Sequence, residues 1–135
     1  MDTVVTPASH AAALWTGLLL LLLLILSVLV VRQRQRHKVV TGDGGVEEVI
    51  RASRAFGNAA EYIPAGVAAL AVMALTGSRP LVVHAVGALL FFGRLAHGFG
   101  LSRGSGLSLG RSAGMIPTWL AFLIAGVLLL FYSAP

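Results

Sequence analysis

From Ala12 to Val31 the chain runs without a charged residue, a length that crosses the hydrocarbon core of a bilayer as a helix. That run decides the solvent in which everything else must be satisfied. With 135 residues, 57% hydrophobic content, mean hydropathy +0.89 and only 11% charged residues, the chain is too apolar and too short for an ordinary soluble enzyme and reads as one integral-membrane domain. Residues 1 to 11 carry one acid and no Lys or Arg. A cleaved signal peptide would want a basic leader, a shorter apolar core and a small-residue cleavage site, so the run is expected to stay as a span. Trp15, near its outer end, reads as an interfacial anchor.

Four such spans are expected, at about 12–31, 46–75, 80–100 and 111–132. The links between them are short and rich in turn residues: Thr41-Gly-Asp-Gly-Gly45, Thr76-Gly-Ser-Arg79-Pro80, and the glycine- and serine-rich stretch from Ser102 to Gly110. The first lacks the Gly-Lys-Ser/Thr ending of a phosphate loop and is assigned no nucleotide. Antiparallel order and short links give an all-α, up-and-down four-helix bundle. Pro64 lies inside the second span, where a kink is expected rather than a break. Pro117 lies near the start of the fourth, and glycines at 87, 93 and 98 suit close helix contact in the third.

The net charge of +5 suggests no nucleic acid, because six of the ten basic residues lie between Arg32 and Arg54, beside a span. The cluster Arg32-Gln-Arg34-Gln-Arg36-His37-Lys38 reads as a cytoplasmic stop signal against anionic lipid, with Arg32 and Arg34 also able to turn back toward an anionic ligand. The 32–54 segment holds six Lys and Arg and the 102–111 loop two, whereas the opposite side has Arg79. By the positive-inside rule both termini face the periplasm.

The second span carries polar residues into the membrane. On a helix, Glu47, Arg51, Arg54, Asn58 and Glu61 fall within a sector of about 80°, and Ala65 and Ala68 continue that stripe. A face of this kind is expected to look into a bundle or a wet cavity. Taken singly, each residue has a structural explanation: Glu61 paired with Arg94, Asn58 in an interhelical hydrogen bond, His97 a buried donor. Taken together, Arg51, Arg54, Arg94 and Arg111 surround one deep acid, Glu61. An excess of cations in low dielectric calls for an anion. A ligand with carboxylates for the arginines and an ammonium for Glu61 would complete the balance, and any thiol chemistry in this cysteine-free chain would need a cosubstrate's thiol.

Arg54-x-x-x-Asn58-x-x-Glu61-Tyr62-x-Pro64 resembles the second-helix signature of the MAPEG superfamily, the membrane-associated proteins in eicosanoid and glutathione metabolism. Gly93-Arg94-Leu95-Ala96-His97 resembles its third-helix motif and Arg111-Ser112 the start of its fourth. The Gly-Asp-Gly-Gly connector resembles that of the small bacterial inner-membrane branch. The resemblance implies a homotrimer with glutathione bound between neighbouring subunits. Arg54, Asn58, Glu61, Tyr62, Arg94 and His97, with Arg51 beside them, would bind the tripeptide. Arg111, with the Ser112 hydroxyl, would stabilise its thiolate. Two departures stand out: Gly57 where some members carry arginine, and Leu101 where several catalytic members carry tyrosine.

The function expected is therefore a glutathione-dependent transferase or peroxidase acting on lipophilic electrophiles that enter from the bilayer. Two alternatives share the hydropathy: a small exporter using Glu61 for proton coupling, and a lipid-binding member of the same fold without chemistry. An arginine surplus around Glu61 disfavours the exporter, since proton coupling needs a carboxyl that titrates near working pH. His84 reads as structural, His10 and His37 as solvated, and no spacing of His, Asp and Glu resembles a metal site.

Overall fold

A computed structural model describes residues 6–103 and 109–134, with side chains for 6–100 and 114–134. The described residues form four helices: α1 (Pro7–His37), α2 (Glu47–Leu75), α3 (Pro80–Arg103) and α4 (Leu109–Ser133). Each is long and apolar enough to cross a membrane. The protein is an all-α, four-span bundle.

The ends of the helices follow from their sequences. Thr6 accepts a hydrogen bond from the Ser9 amide while the Ser9 hydroxyl accepts from the Thr6 amide, and Pro7 occupies the first helical position. This reciprocal cap starts α1 well before the apolar run. At the other end α1 continues through the basic cluster to Lys38, which turns left-handed at φ 55° and donates to the Arg34 and Gln35 carbonyls. The connector then needs positive φ at Gly42, Gly44 and Gly45. Glu47 and Glu48 occupy the first turn of α2, where exposed amides favour acids. Pro64 removes one backbone donor from that helix without ending it.

α3 is the central element and touches all three others, whereas α1 and α4 make no contact among the described residues. Its buried side chains, Val83, Val86 and Leu90, pack against Leu19, Leu22 and Leu26 of α1 and Ile63, Leu70 and Met73 of α2. Leucines and phenylalanines on the outward faces, including Leu20, Leu21, Leu24, Phe92, Leu123 and Leu130, stay exposed, as lipid-facing side chains do.

Two glycine contacts set the spacing of the bundle. A Cβ at Gly87 would overlap the Trp15 ring. Trp15 is therefore more than the interfacial anchor expected: it packs between α1 and α3 against Phe91 and Phe92, and its Nε1 donates to His84 Nδ1 at 3.1 Å. Gly93 and Gly114 face each other where α3 crosses α4, so closely that a Cβ on Gly114 would lie 2.6 Å from the Gly93 carbonyl oxygen.

Candidate functional site

The Gly93–Gly114 crossing places Arg94 directly against α4. Its side chain is 1% exposed, the largest of those fully buried. Nε donates to Thr118 Oγ1 at 2.9 Å, Nη1 to Asn58 Oδ1 at 2.6 Å, and Nη2 to the Gly114 carbonyl at 3.4 Å and Met115 Sδ at 3.0 Å. The guanidinium carbon lies 4.7 Å from the centre of the Tyr62 ring, which in turn stacks on Phe122 at 5.9 Å. A buried arginine is tolerable when its donors are matched and an aromatic face offsets the charge. Thr118 supports the arrangement by donating its own hydroxyl proton to the Gly114 carbonyl at 3.0 Å, leaving its lone pairs to Arg94.

Asn58 and Tyr62 of α2, Arg94 of α3 and Thr118 of α4 thus come together as one unit across three helices. Arg94 is a strut holding Asn58 from behind, its charge shared among amide, hydroxyl, carbonyl and ring acceptors. The explanation of Asn58 as an interhelical hydrogen bond holds. The Glu61–Arg94 ion pair does not form: among the described residues Glu61 has no partner within 4 Å.

The outer face of α2 is arranged differently from the convergence expected. Val49, Ala55, Ala59, Ile63, Gly66, Leu70 and Met73 form its buried stripe. Arg54, Glu61, Ala65, Ala68 and Val72 lie about 140° away around the helix and are exposed. The polar stripe looks out of the protomer, with Asn58 half-buried at its edge. The physical reason is competition for the core: α2 has one continuous apolar stripe, and α1 and α3 take it. Arg51 leaves the group as well, lying 3.8 Å from both Glu47 and Glu48 and lining a crevice of about 120 Å³ with Leu26, Leu29 and Gln33 of α1.

His97 is 8% exposed, and its backbone amide lies against Gly114. Arg111 and Ser112 belong to the first turn of α4, which begins at Leu109, two residues earlier than expected. Their side chains, and that of Leu101, lie outside the described residues. The antiparallel order puts that turn at the same end of the bundle as Arg54. Gly57 is half-buried with open space where a Cβ would stand. Among the described residues no cluster of His, Asp and Glu is placed to hold a metal ion.

Thr118, Met115 and Phe122 were not anticipated from the sequence. A faint signal existed for Thr118: Gly114-x-x-x-Thr118 places two small residues on one face of a membrane helix, a spacing that allows close packing.

The MAPEG family model matches residues 12–131. The chain belongs to the MAPEG family. It is also similar to the inner membrane protein YecN of Escherichia coli K12, with 39% identity over 101 residues that cover 75% of this chain and 76% of YecN. YecN of strain CFT073 gives the same identity and coverage.

Proposed function

We propose that this MAPEG protein is a glutathione-dependent transferase or peroxidase of the inner membrane, conjugating or reducing lipophilic electrophiles that arrive through the bilayer. The observation carrying this reading is the outward stripe of α2. Glu61 and Arg54 lie within a helix that spans, are exposed on the protomer, and have no partner among the described residues. Charged groups at such a position require either a neighbouring protein surface or a ligand. A second copy of the chain covering this face, in a homotrimer, satisfies the first need. Glutathione in the seam satisfies the second, its ammonium on Glu61 and a carboxylate on Arg54.

Asn58, positioned by Arg94, offers its amide to the peptide backbone of the ligand, with Tyr62 and His97 beside it. Arg51, freed from weak exposed pairing with Glu47 and Glu48, is available for the second carboxylate. Arg111 and Ser112, in the first turn of α4, are assigned to the thiol. A thiol ordinarily titrates near pH 8.5, and a cation together with helix N-terminal amides favours the thiolate. In conjugation that sulfur then bonds to the electrophilic carbon as the leaving group departs with its electron pair. Both termini face the periplasm, so that the site opens toward cytoplasmic reduced glutathione.

The test separates ligand binding from architecture. Arg54→Ala and Glu61→Gln should each weaken glutathione binding by about ten-fold or more, the equivalent of one charge-assisted contact, with the melting temperature and oligomer mass unchanged. Unchanged affinity with loss of the oligomer would reduce these residues to helix glue.

A further inference from the structure

We infer that the connector between α1 and α2 forms a built site for one anionic phospholipid of the adjoining leaflet, with the phosphate held by Arg34 and Lys38. The last turns of α1 and the returning chain enclose an open groove of about 370 Å³, lined by Val31, Arg34, Gln35, Lys38, Val39 and Val40. It is graded along its length. Val31 ends the apolar run, where lipid tails begin, and Arg34 and Lys38 follow one and two turns later on the same side of α1. This is the order of tail and phosphate in a lipid.

The groove is fixed in shape. The Val39 amide donates to the Arg34 carbonyl at 2.9 Å, and Arg34 Nη2 donates to the Gly42 carbonyl at 2.9 Å. Val39 seats against Gly44, where a Cβ would come within 3.0 Å of it. The Gly45 amide donates to Asp43 Oδ1 at 2.9 Å. Val40, by contrast, is 87% exposed, an apolar side chain on the rim of a basic groove at the membrane edge. Contact with the apolar part of a lipid removes that surface from water.

Charge supplies the second argument. Between Arg32 and Val46 there are four Lys and Arg and a single acid, Asp43. Among the described residues neither Arg34 nor Lys38 makes an ion pair, and Arg34 Nε is shut away from water without a partner. A guanidinium whose partner is one neutral carbonyl has no carboxylate opposite it, and phosphate oxygens match its fork. Arg32 and Arg36 are exposed and do not line the groove, so they contribute only to the general attraction of a basic segment for an acidic leaflet.

Native mass spectrometry of the full chain, incubated with equal amounts of phosphatidylglycerol and phosphatidylcholine, tests this. Phosphatidylglycerol should be retained selectively. The double variant R34Q/K38Q should lose that retention about ten-fold, whereas R32Q/R36Q, with the same change in net charge, should stay within about two-fold. Because Arg34 also ties the connector through Gly42, K38Q alone is the second arm: it leaves that bond intact and should still lower retention. Equal losses in both double variants would mean a diffuse field and no site. Displacement of the lipid by inorganic phosphate at comparable concentration would mean an anion site with no lipid specificity. Undiminished retention in R34Q/K38Q and K38Q would overturn the assignment outright.

Discussion

Arg94 shows how one buried cation can organise an apolar bundle. Its guanidinium reaches an asparagine on α2 and a threonine, a carbonyl and a thioether on α4, so it fixes the relative height of three helices. Lysine keeps the charge but not the planar fork. Arg94→Lys should therefore lower the melting temperature, at a cost of about 2 kcal/mol, and weaken glutathione binding because Asn58 loses its support. If binding fell while stability held, Arg94 would be touching the ligand itself. Sequence periodicity identified Arg54, Asn58 and Glu61 as one face, but the expected convergence around Glu61 fails within the protomer, where Arg54 and Glu61 are exposed, since direction depends on which stripe of α2 the neighbouring helices occupy. Thr118 escaped notice for a related reason. A threonine in a membrane helix commonly bonds its own i−4 carbonyl, and nothing local distinguishes one that also accepts from an arginine 24 residues away.

At the scale of the helices, hydropathy reports the length of chain that lipid solvates, not the length of the helix. α1 therefore exceeds the expected span at both ends, through the Thr6–Ser9 cap and the basic last turns, while α2 ends at Leu75 where the Thr76-Gly77 turn begins. The close approach of α3 and α4 was legible only as scattered glycines; that Gly93 meets Gly114 is a fact of register between helices. It gives a sharp expectation. A Cβ on Gly114 would stand 2.5 Å from the His97 amide nitrogen and 2.6 Å from the Gly93 oxygen, both backbone atoms. Neither can yield without moving a helix, so Gly114→Ala should destabilise by about 1–3 kcal/mol, as overpacked cores do, and pull Arg94 from Thr118. Gly17→Ala meets nothing within 4 Å and should be neutral or slightly stabilising through helix propensity. Thermal melts in one detergent compare the two directly.

For the whole molecule, topology and assembly rest on two different asymmetries. Eight Lys and Arg flank the links at one end of the bundle and Arg79 the other, so we expect from the positive-inside rule that both termini face the periplasm. In a chain without cysteine, Ser105→Cys, at a position outside the described residues, should resist an impermeant maleimide in intact cells, while Thr76→Cys in the exposed α2–α3 turn should react. The reverse pattern would invert the molecule and move the arginine cluster away from cytoplasmic glutathione. The second asymmetry lies on α2, whose outward stripe passes from Arg54, Asn58 and Glu61 to Ala65 and Ala68. Polar groups there would be stranded in lipid, and the small residues beyond them let another helix approach closely with little side chain to displace. A neighbouring copy on this face would meet both conditions, and the homotrimer we propose would close the interface on itself around one axis. The native mass in mild detergent should then be three times 14.0 kDa. Ala65→Cys and Ala68→Cys should form disulfide-linked dimers under oxidation, leaving a third chain unlinked because each carries one thiol. Leu24→Cys, also at an exposed position, on α1, should not. Monomeric mass, or cross-linking as efficient from Leu24 as from Ala68, would leave Glu61 facing lipid with no partner and would remove the seam in which glutathione is proposed to bind.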